Sequence, residues 1–259
     1  MTQQEMMFLV PRKLKEIEKE YGIRVLYAAE SGSRAWGTCS QQSDFDVRFI
    51  YIRPRKEYLR LEQTRDVLEF PIEEGWDMSG WDLRKTLQLL YSSNSQIYEW
   101  FHSPIVYVDD GFSKRICPVL DASFSKKTVV YHYLHQSELK KKKQMRAEET
   151  KVKHYLYRLQ YLSAARWVLD FGLPIPVSFR KLMARLPEHI QQEAQALLLR
   201  KTTQPHLPMI PQIPHLDAWL EKETDDIQQE LSRMPKEEEK SWERLDSFFL
   251  EELERSKQM

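Results

Sequence analysis

Residues 30–52 read ESGSRAWGTCSQQSDFDVRFIYI, and the fold turns on how they are read. The run DVRFIYIR, from Asp46, is rich in β-branched and aromatic residues and is expected to be a strand, ended by Pro54. IRVLYAAE, from Ile23, reads as the strand before it. Between them Gly32-Ser33 and Gly37 mark a turn. Asp44 and Asp46 stand one residue apart at the mouth of the second strand. Residues two apart in a strand share a face, so both carboxylates are expected on one side.

Two carboxylates this close repel, and one pKa should rise unless a cation sits between them. A divalent ion removes the conflict, and hard oxygen ligands of this kind suit Mg²⁺, which also binds phosphates. Gly32 and Gly37 permit close backbone approach, and the N–H groups of such a turn can hold phosphate oxygens. A phosphate cradle beside a metal-binding carboxylate pair is the equipment of phosphoryl transfer. Arg34 reads either as a phosphate contact or as a salt bridge to Glu30 or Asp44. Arg48 shares the strand face of Asp46 and reads either as a neutralising partner when metal is absent or as a surface salt bridge. Trp36 reads as core packing before base stacking.

Working outward, the segment from about Gln4 to Tyr21 carries Leu14, Ile17 and Tyr21 at helical spacing, with Gly22 as a stop. RDVLEFPIEEGWDMSGWD favours a strand or bent hairpin. Asp82 is placed to cap a helix running through Tyr91, with Leu83, Leu87 and Leu90 on one face. NSQIYEWFHS reads as a short helix and PIVYVDD as a short strand. After about Asp121 the β-signal fades. The stretch to Gly172 is helical in pattern, with a break near Glu149–Thr150. A proline-held turn and short helix follow at LPIPVSFRKLMARL. The connector QPHLPMIPQIPH then leads to a final helix or helix pair from about Leu216. The expected class is α+β: a catalytic domain over 1–120, built as a mixed sheet with flanking helices, then an all-α domain over 121–259.

The 259 residues carry 39 Lys and Arg against 39 Asp and Glu, so no whole-molecule field attracts nucleic acid and any attraction must be local. Asp121 to Asp170 is such a region, with eleven Lys and Arg against five Asp and Glu, densest at Lys140, Lys141, Lys142 and Lys143. These four encircle a helix rather than form one stripe. They read as a solvated face or as an RNA-binding patch. From Glu221 onward the balance reverses, with 13 acidic and 7 basic residues; this segment is expected to cover the helical domain or to mask the basic patch. His132 and His135 read as structural or exposed. Two cysteines in unrelated contexts fit a reducing cytoplasm. The N-terminal residues lack a signal-peptide layout, and no apolar run nears the roughly 20 residues that span a bilayer.

The order strand, Gly-Ser turn, Asp-x-Asp, strand resembles the DNA polymerase β-like nucleotidyltransferase superfamily. The fuller GSRAWGTCSQQSDFDVRFIY, with GWDMSGWDLRKTLQLLYSSNSQIYEWFHSPIVY and KHYLYRLQYLSAARWVLDFGLPIPVSF, resembles a bacterial and phage branch of minimal nucleotidyltransferases linked by name to RNA repair. The likeness covers most of residues 23–180. It implies that Asp44, Asp46 and a third carboxylate, best matched by Asp77, hold two Mg²⁺ ions, and it leaves open whether Mn²⁺ can replace them. Asp82 is the rival third carboxylate, while Glu73 and Glu74 read as solvated. It further implies that Gly32, Ser33 and Arg34 contact the phosphates of an NTP substrate, as do Lys153 and Tyr157 of a helical stripe with Gln160, Ala164 and Trp167. The branch places an arginine where Gln160 stands. The resemblance leaves the acceptor hydroxyl open among RNA or DNA ends, a protein side chain and a small molecule, with the basic segment favouring RNA. Other classes compatible with the sequence are a non-catalytic binding protein on a transferase fold and an antitoxin-like enzyme that modifies a protein partner.

Overall fold

The computed structural model describes residues 1–62, 64–71, 75–144, 149–204, 209–237 and 240–256, without the side chains of Lys143 and Gln144. Glu73, Glu74 and the Lys143 side chain therefore lie outside the described residues. The chain forms two compact units: 1–35 with 44–124 and 239–259, and 36–43 with 125–238.

The first unit begins with helix α1 (Gln3–Tyr21), started by a reciprocal Thr2–Glu5 capping box and stopped by Gly22 in the left-handed region. Its buried stripe is Met6, Val10, Leu14 and Ile17; Tyr21, expected to extend it, is exposed. There follow β1 (Arg24–Glu30), the short α2 (Gly32–Ala35), β2 (Phe45–Ile52), α3 (Arg55–Tyr58), β3 (Val67–Glu69), β4 (Trp76–Asp82), α4 (Leu83–Tyr91), α5 (Ser95–Phe101), β5 (Val106–Asp109) and α6 (Phe112–Ser123). The sheet order is β3-β4-β2-β1-β5. β2 and β4 run parallel, and the other neighbours antiparallel. The expected bent hairpin is the β3–β4 pair, and Asp82 caps α4 by accepting from the Arg84 N–H at 2.8 Å.

Alternation on β2 sorts the two faces of the sheet. Phe45, Val47, Phe49 and Tyr51 join Met6, Val10, Leu14 and Ile17 of α1 in one core. Ile50 and Ile52 face the other way, into a core with Leu83, Leu87 and Leu90 of α4 and residues of α5 and α6. Asp46 and Arg48 occupy the same face as Ile50, nearer the strand's start. Gly80 of β4 pairs with Phe49 of β2, and a Cβ on Gly80 would overlap the Phe49 ring. Gly80→Ala should therefore cost about 1–3 kcal/mol by overpacking. A thermal melt checks this; an unchanged midpoint would contradict the packing.

The second unit contains α7 (Lys126–Gln144), β6 (Glu149–Lys151), α8 (Val152–Phe171), α9 (Phe179–Met183), α10 (Glu188–Thr203), β7 (Met209–Pro211) and α11 (Pro214–Arg233). α8 is central: it buries residues all round its circumference and packs on α7, α9, α10 and α11. Gln160 and Ala164 are thus inside it rather than on an open stripe. The unit is helical apart from the antiparallel β6–β7 ribbon, formed where a break and a connector were expected. Acidic residues of α11 cover basic ones of α7 and α8. Glu221 takes Lys141 and the fully buried Arg158 (2.8 Å), and Glu223 takes Arg166 at 2.7 Å.

One expectation is corrected. The chain divides at Phe124/Ser125, yet its last helix, α12 (Glu243–Ser256), is not part of the helical unit. Leu245, Phe248 and Leu253 join the core of α4 and α6, and Glu252 receives two hydrogen bonds from Arg115, at 2.6 and 3.0 Å. Among the described residues, no helix is long and apolar enough to cross a membrane.

Candidate active site

Parallel pairing of β2 with β4 places Asp46 directly opposite Asp77, so the two carboxylates stand side by side on one sheet face. Asp44 lies one residue ahead of β2 and is exposed. Arg48, two residues along the same face, joins the pair. Its Nη2 donates to Asp77 Oδ2 at 2.8 Å and to Asp46 Oδ1 at 3.3 Å, and its Nη1 to the Asp77 carbonyl at 2.9 Å. Arg48 is thus a neutralising partner, the first of the two readings of its sequence. Burial pushes the Asp46 carboxyl above its ordinary range, Asp77 and Asp44 add to this, and Arg48 opposes it.

Behind Asp46 stands Glu30, fully buried at the end of β1. Its Oε1 accepts the Asp46 backbone N–H at 2.8 Å and its Oε2 accepts the Tyr107 hydroxyl, which itself accepts from Gln3 Nε2 at 3.0 Å. Burial raises the Glu30 carboxyl, and these two donors offset part of that. The Asp46 carbonyl accepts the Ser31 N–H at 2.8 Å. The backbone of Asp46 is therefore held on both sides by the turn that precedes it.

The turn meets the carboxylate closely. Gly32 adopts φ +57°, and a Cβ there would collide with Asp46 Oδ2. Ser33 and Arg34 complete α2. Arg34 donates Nε to the Asp44 carbonyl at 3.1 Å, and its guanidinium lies 3.6 Å from the centroid of the Phe45 ring. It braces the turn through a backbone carbonyl rather than through an Asp44 side-chain salt bridge. Trp36 is buried, and its carbonyl accepts the Phe179 N–H at 3.0 Å, so it packs as expected. Asp82 is committed elsewhere: besides capping α4, it accepts from the Tyr58 hydroxyl at 2.9 Å.

As the side chains stand, no group of three His, Cys, Asp or Glu converges tightly enough to hold a metal ion among the described residues. The donor chemistry nevertheless fits a divalent cation. Asp46 and Asp77 are adjacent hard oxygen ligands, Asp44 acts electrostatically on Asp46, and the pair already takes a positive group, the Arg48 guanidinium, between them.

The remaining sequence-chosen residues lie in the second unit. Lys153 and Tyr157 are half-buried near the start of α8. The lysine run ends α7, and it is not a free patch: Lys141 pairs with Glu221, and the Lys140 ammonium sits 5.0 Å from the centroid of the Tyr157 ring. Lys142 is exposed. His132 is half-buried, and that burial lowers its pKa, while His135 is exposed. Sequence reasoning missed one residue with strong placement: Glu30 entered only as a salt-bridge partner for Arg34, yet it anchors the Asp46 backbone N–H and the Tyr107 hydroxyl.

The general class, nucleotidyltransferase-like, follows from the family that the chain matches. A family model described as RNA repair pathway DNA polymerase beta family (RlaP) matches residues 6–251, and the chain belongs to that family. It is 36% identical over 246 residues to YcgL of Bacillus subtilis (strain 168), a protein described as uncharacterized, covering 93% of this chain and 94% of that one. A crystal structure of a nucleotidyltransferase-like protein from Exiguobacterium sibiricum 255-15 aligns with 84% of this chain and 73% of its own. Its identity is 12% and its TM-score 0.31, too low to carry an argument about the site.

Proposed function

We propose that this protein transfers a nucleoside monophosphate from an NTP to a hydroxyl acceptor, with an RNA end as the favoured acceptor class. The observation that carries the reading is the register that sets Asp77 beside Asp46, with Asp44 just upstream and Gly32 turned against Asp46. Asp44, Asp46 and Asp77 would hold Mg²⁺. A divalent ion bound there supplies charge stabilisation to the phosphate oxygens and lowers the pKa of a nearby hydroxyl. Asp77 then takes the acceptor proton on a carboxylate oxygen. The hydroxyl oxygen forms a bond to the α-phosphorus, the α–β bridging bond breaks, and pyrophosphate leaves. Gly32, Ser33 and Arg34 shape the turn that receives phosphate, and Glu30 keeps the Asp46 backbone in place.

Lys153 and Tyr157 serve the second unit as anion contacts, and the exposed Lys142 is the member of the lysine run best disposed to meet an RNA backbone. A family named for RNA repair supports that choice of acceptor. The Arg48 bridge gives one specific reason to weigh a second reading, a non-catalytic binding protein in which the bridge is never opened.

The two readings separate on melting. Mg²⁺ with a non-hydrolysable NTP analogue should raise the midpoint well above either alone. Binding to the folded state at a hundredfold excess over Kd adds about 2.7 kcal/mol. No shift at millimolar ligand would favour the non-catalytic protein.

A further inference from the structure

We infer that a cavity in the second unit, walled by α8, α9 and α11, is a binding site for a single unpaired nucleobase, with an RNA strand as its source. The choice of ligand rests on the nucleotidyl-transfer reading. The cavity shares no residue with the aspartate site and is argued from its own side chains.

The cavity measures about 240 Å³. Clefts for drug-sized ligands run from about 300 to 1,000 Å³, so this one suits a smaller molecule, about one heterocycle. Ser163, Arg166, Trp167 and Asp170 are spaced three and four apart and bring one face of α8 to it. Trp219 and Glu223, four apart, do the same from α11. Trp167 is a fixed platform. Its indole N–H donates to the Pro174 carbonyl at 3.2 Å, and its ring centroid lies 4.4 Å from that of Phe171. Indoles from two helices in so small a cavity offer flat apolar faces to a planar ring.

The charged groups narrow the kind of ring. Arg166 donates to Glu223 at 2.7 Å and also to Glu230, and Arg185, which follows α9, donates to Asp170 at 3.3 Å. The guanidinium and carboxylate groups that line the cavity thus cancel, so neither an anion nor a cation is drawn to it. A neutral molecule suits it when its edge carries both donors and acceptors, because N–H groups and carboxylate oxygens meet that edge together. Ser163 is the independent observation. It is 5% exposed, and its Oγ has no hydrogen-bond partner among the described residues. A hydroxyl on a helix can donate to the carbonyl one turn earlier. This one does not, and a buried polar group left unmet is costly. A nucleobase answers each feature: flat faces for the indoles, a mixed edge for the charged pairs, and a partner for the hydroxyl. Base pairing and stacking in a duplex hide these groups, so the base must come from an unpaired stretch.

The test uses the full chain in EDTA. Binding of each ribonucleoside is followed by NMR, and binding of short single-stranded homopolymer RNAs by fluorescence anisotropy. At least one nucleoside and its homopolymer should bind. Ser163→Ala should melt no lower than wild type without ligand and bind that nucleoside at least about threefold more weakly. Trp219→Ala should weaken both nucleoside and homopolymer by at least about fivefold, while Trp219→Phe keeps most of the affinity. Ser163→Ala removes one oxygen and decides by itself if Trp219→Ala does not fold. No binding of any nucleoside, or wild-type affinity in Ser163→Ala, would overturn the inference. A lower melting point of ligand-free Ser163→Ala would do the same, because it would make the hydroxyl a support of the fold. Nucleoside binding that depends on Trp219, with homopolymer binding that does not, would overturn the RNA strand as source in favour of a free nucleotide. EDTA keeps the two proposals apart. Base binding without nucleotidyl transfer in Mg²⁺ sinks the functional reading alone, and transfer with base binding unchanged in the variants sinks this one alone.

Discussion

Asp46→Asn is expected to abolish transfer while raising the melting temperature of the metal-free protein. The loss of activity follows from removing one negative ligand at the point where metal and phosphate meet. An effect of about three orders of magnitude or more in kcat corresponds to the several kcal/mol such stabilisation supplies. The gain in stability follows from the environment of Asp46. Its pKa is raised by burial first and then by Asp77 and Asp44, so the folded state prefers the neutral side chain. The sign is then fixed by linkage. A carboxyl whose folded pKa exceeds its unfolded value makes the protein more stable as pH falls through that window, and less stable above it. Asn carries no charge at any pH and escapes the penalty at neutral pH, while Arg48 keeps its 2.8 Å bond to Asp77. Melting in EDTA from neutral to acid pH should show wild type gaining on the variant as Asp46 takes up its proton. Near wild-type turnover by Asp46→Asn would defeat the metal reading; a lower neutral-pH melting point would mean that the Arg48 contact outweighs burial.

Gly32→Ala should damage both the fold and the activity, more than any comparable glycine change in the turn. At φ +57° an added Cβ carries left-handed strain of about 1–2 kcal/mol. The larger effect is steric, because that Cβ would occupy the space of the Asp46 carboxylate. Either Gly32 or Asp46 must move, and the bonds from Ser31 N–H to the Asp46 carbonyl and from Asp46 N–H to Glu30 resist it. Gly37→Ala is the matched control. Its φ is +71°, but nothing lies within 4 Å of the added Cβ, so it suffers the strain alone and should retain turnover. Parallel melts and NTP turnover on the two variants check this. Equal losses would show that strain, not the approach to Asp46, sets the need for glycine.

Much of the first unit is legible in local sequence because its elements follow local rules. Alternation marks β2, Gly22 ends α1, and Asp82 caps α4. What escapes depends on pairings far apart in the chain. Arg48 reads equally as a surface side chain until β4 brings Asp77, 29 residues away, against it. Glu30 gains its role from Tyr107, 77 residues on. α6 is hidden by Pro118 within it, and α10 carries no strong amphipathic stripe to announce it. The lysine run looks like an exposed patch because nothing in residues 140–143 reveals Glu221 on α11. The return of α12 to the first unit depends on its apolar face meeting α4 and α6, a choice between two cores that its own sequence does not make.

The central claim is that the three aspartates carry nucleotidyl transfer, and label transfer tests it most directly. Purified protein is incubated with each α-phosphate-labelled NTP and total RNA, with and without Mg²⁺, and the products are separated by size. The account predicts label on RNA with Mg²⁺ and release of pyrophosphate. Label should be absent with EDTA or with Asp46→Asn, a variant that remains folded. Absence of labelled product from the wild-type protein with every NTP, while Mg²⁺ is present, would contradict transfer to RNA. Label transfer that survives Asp46→Asn would contradict the site.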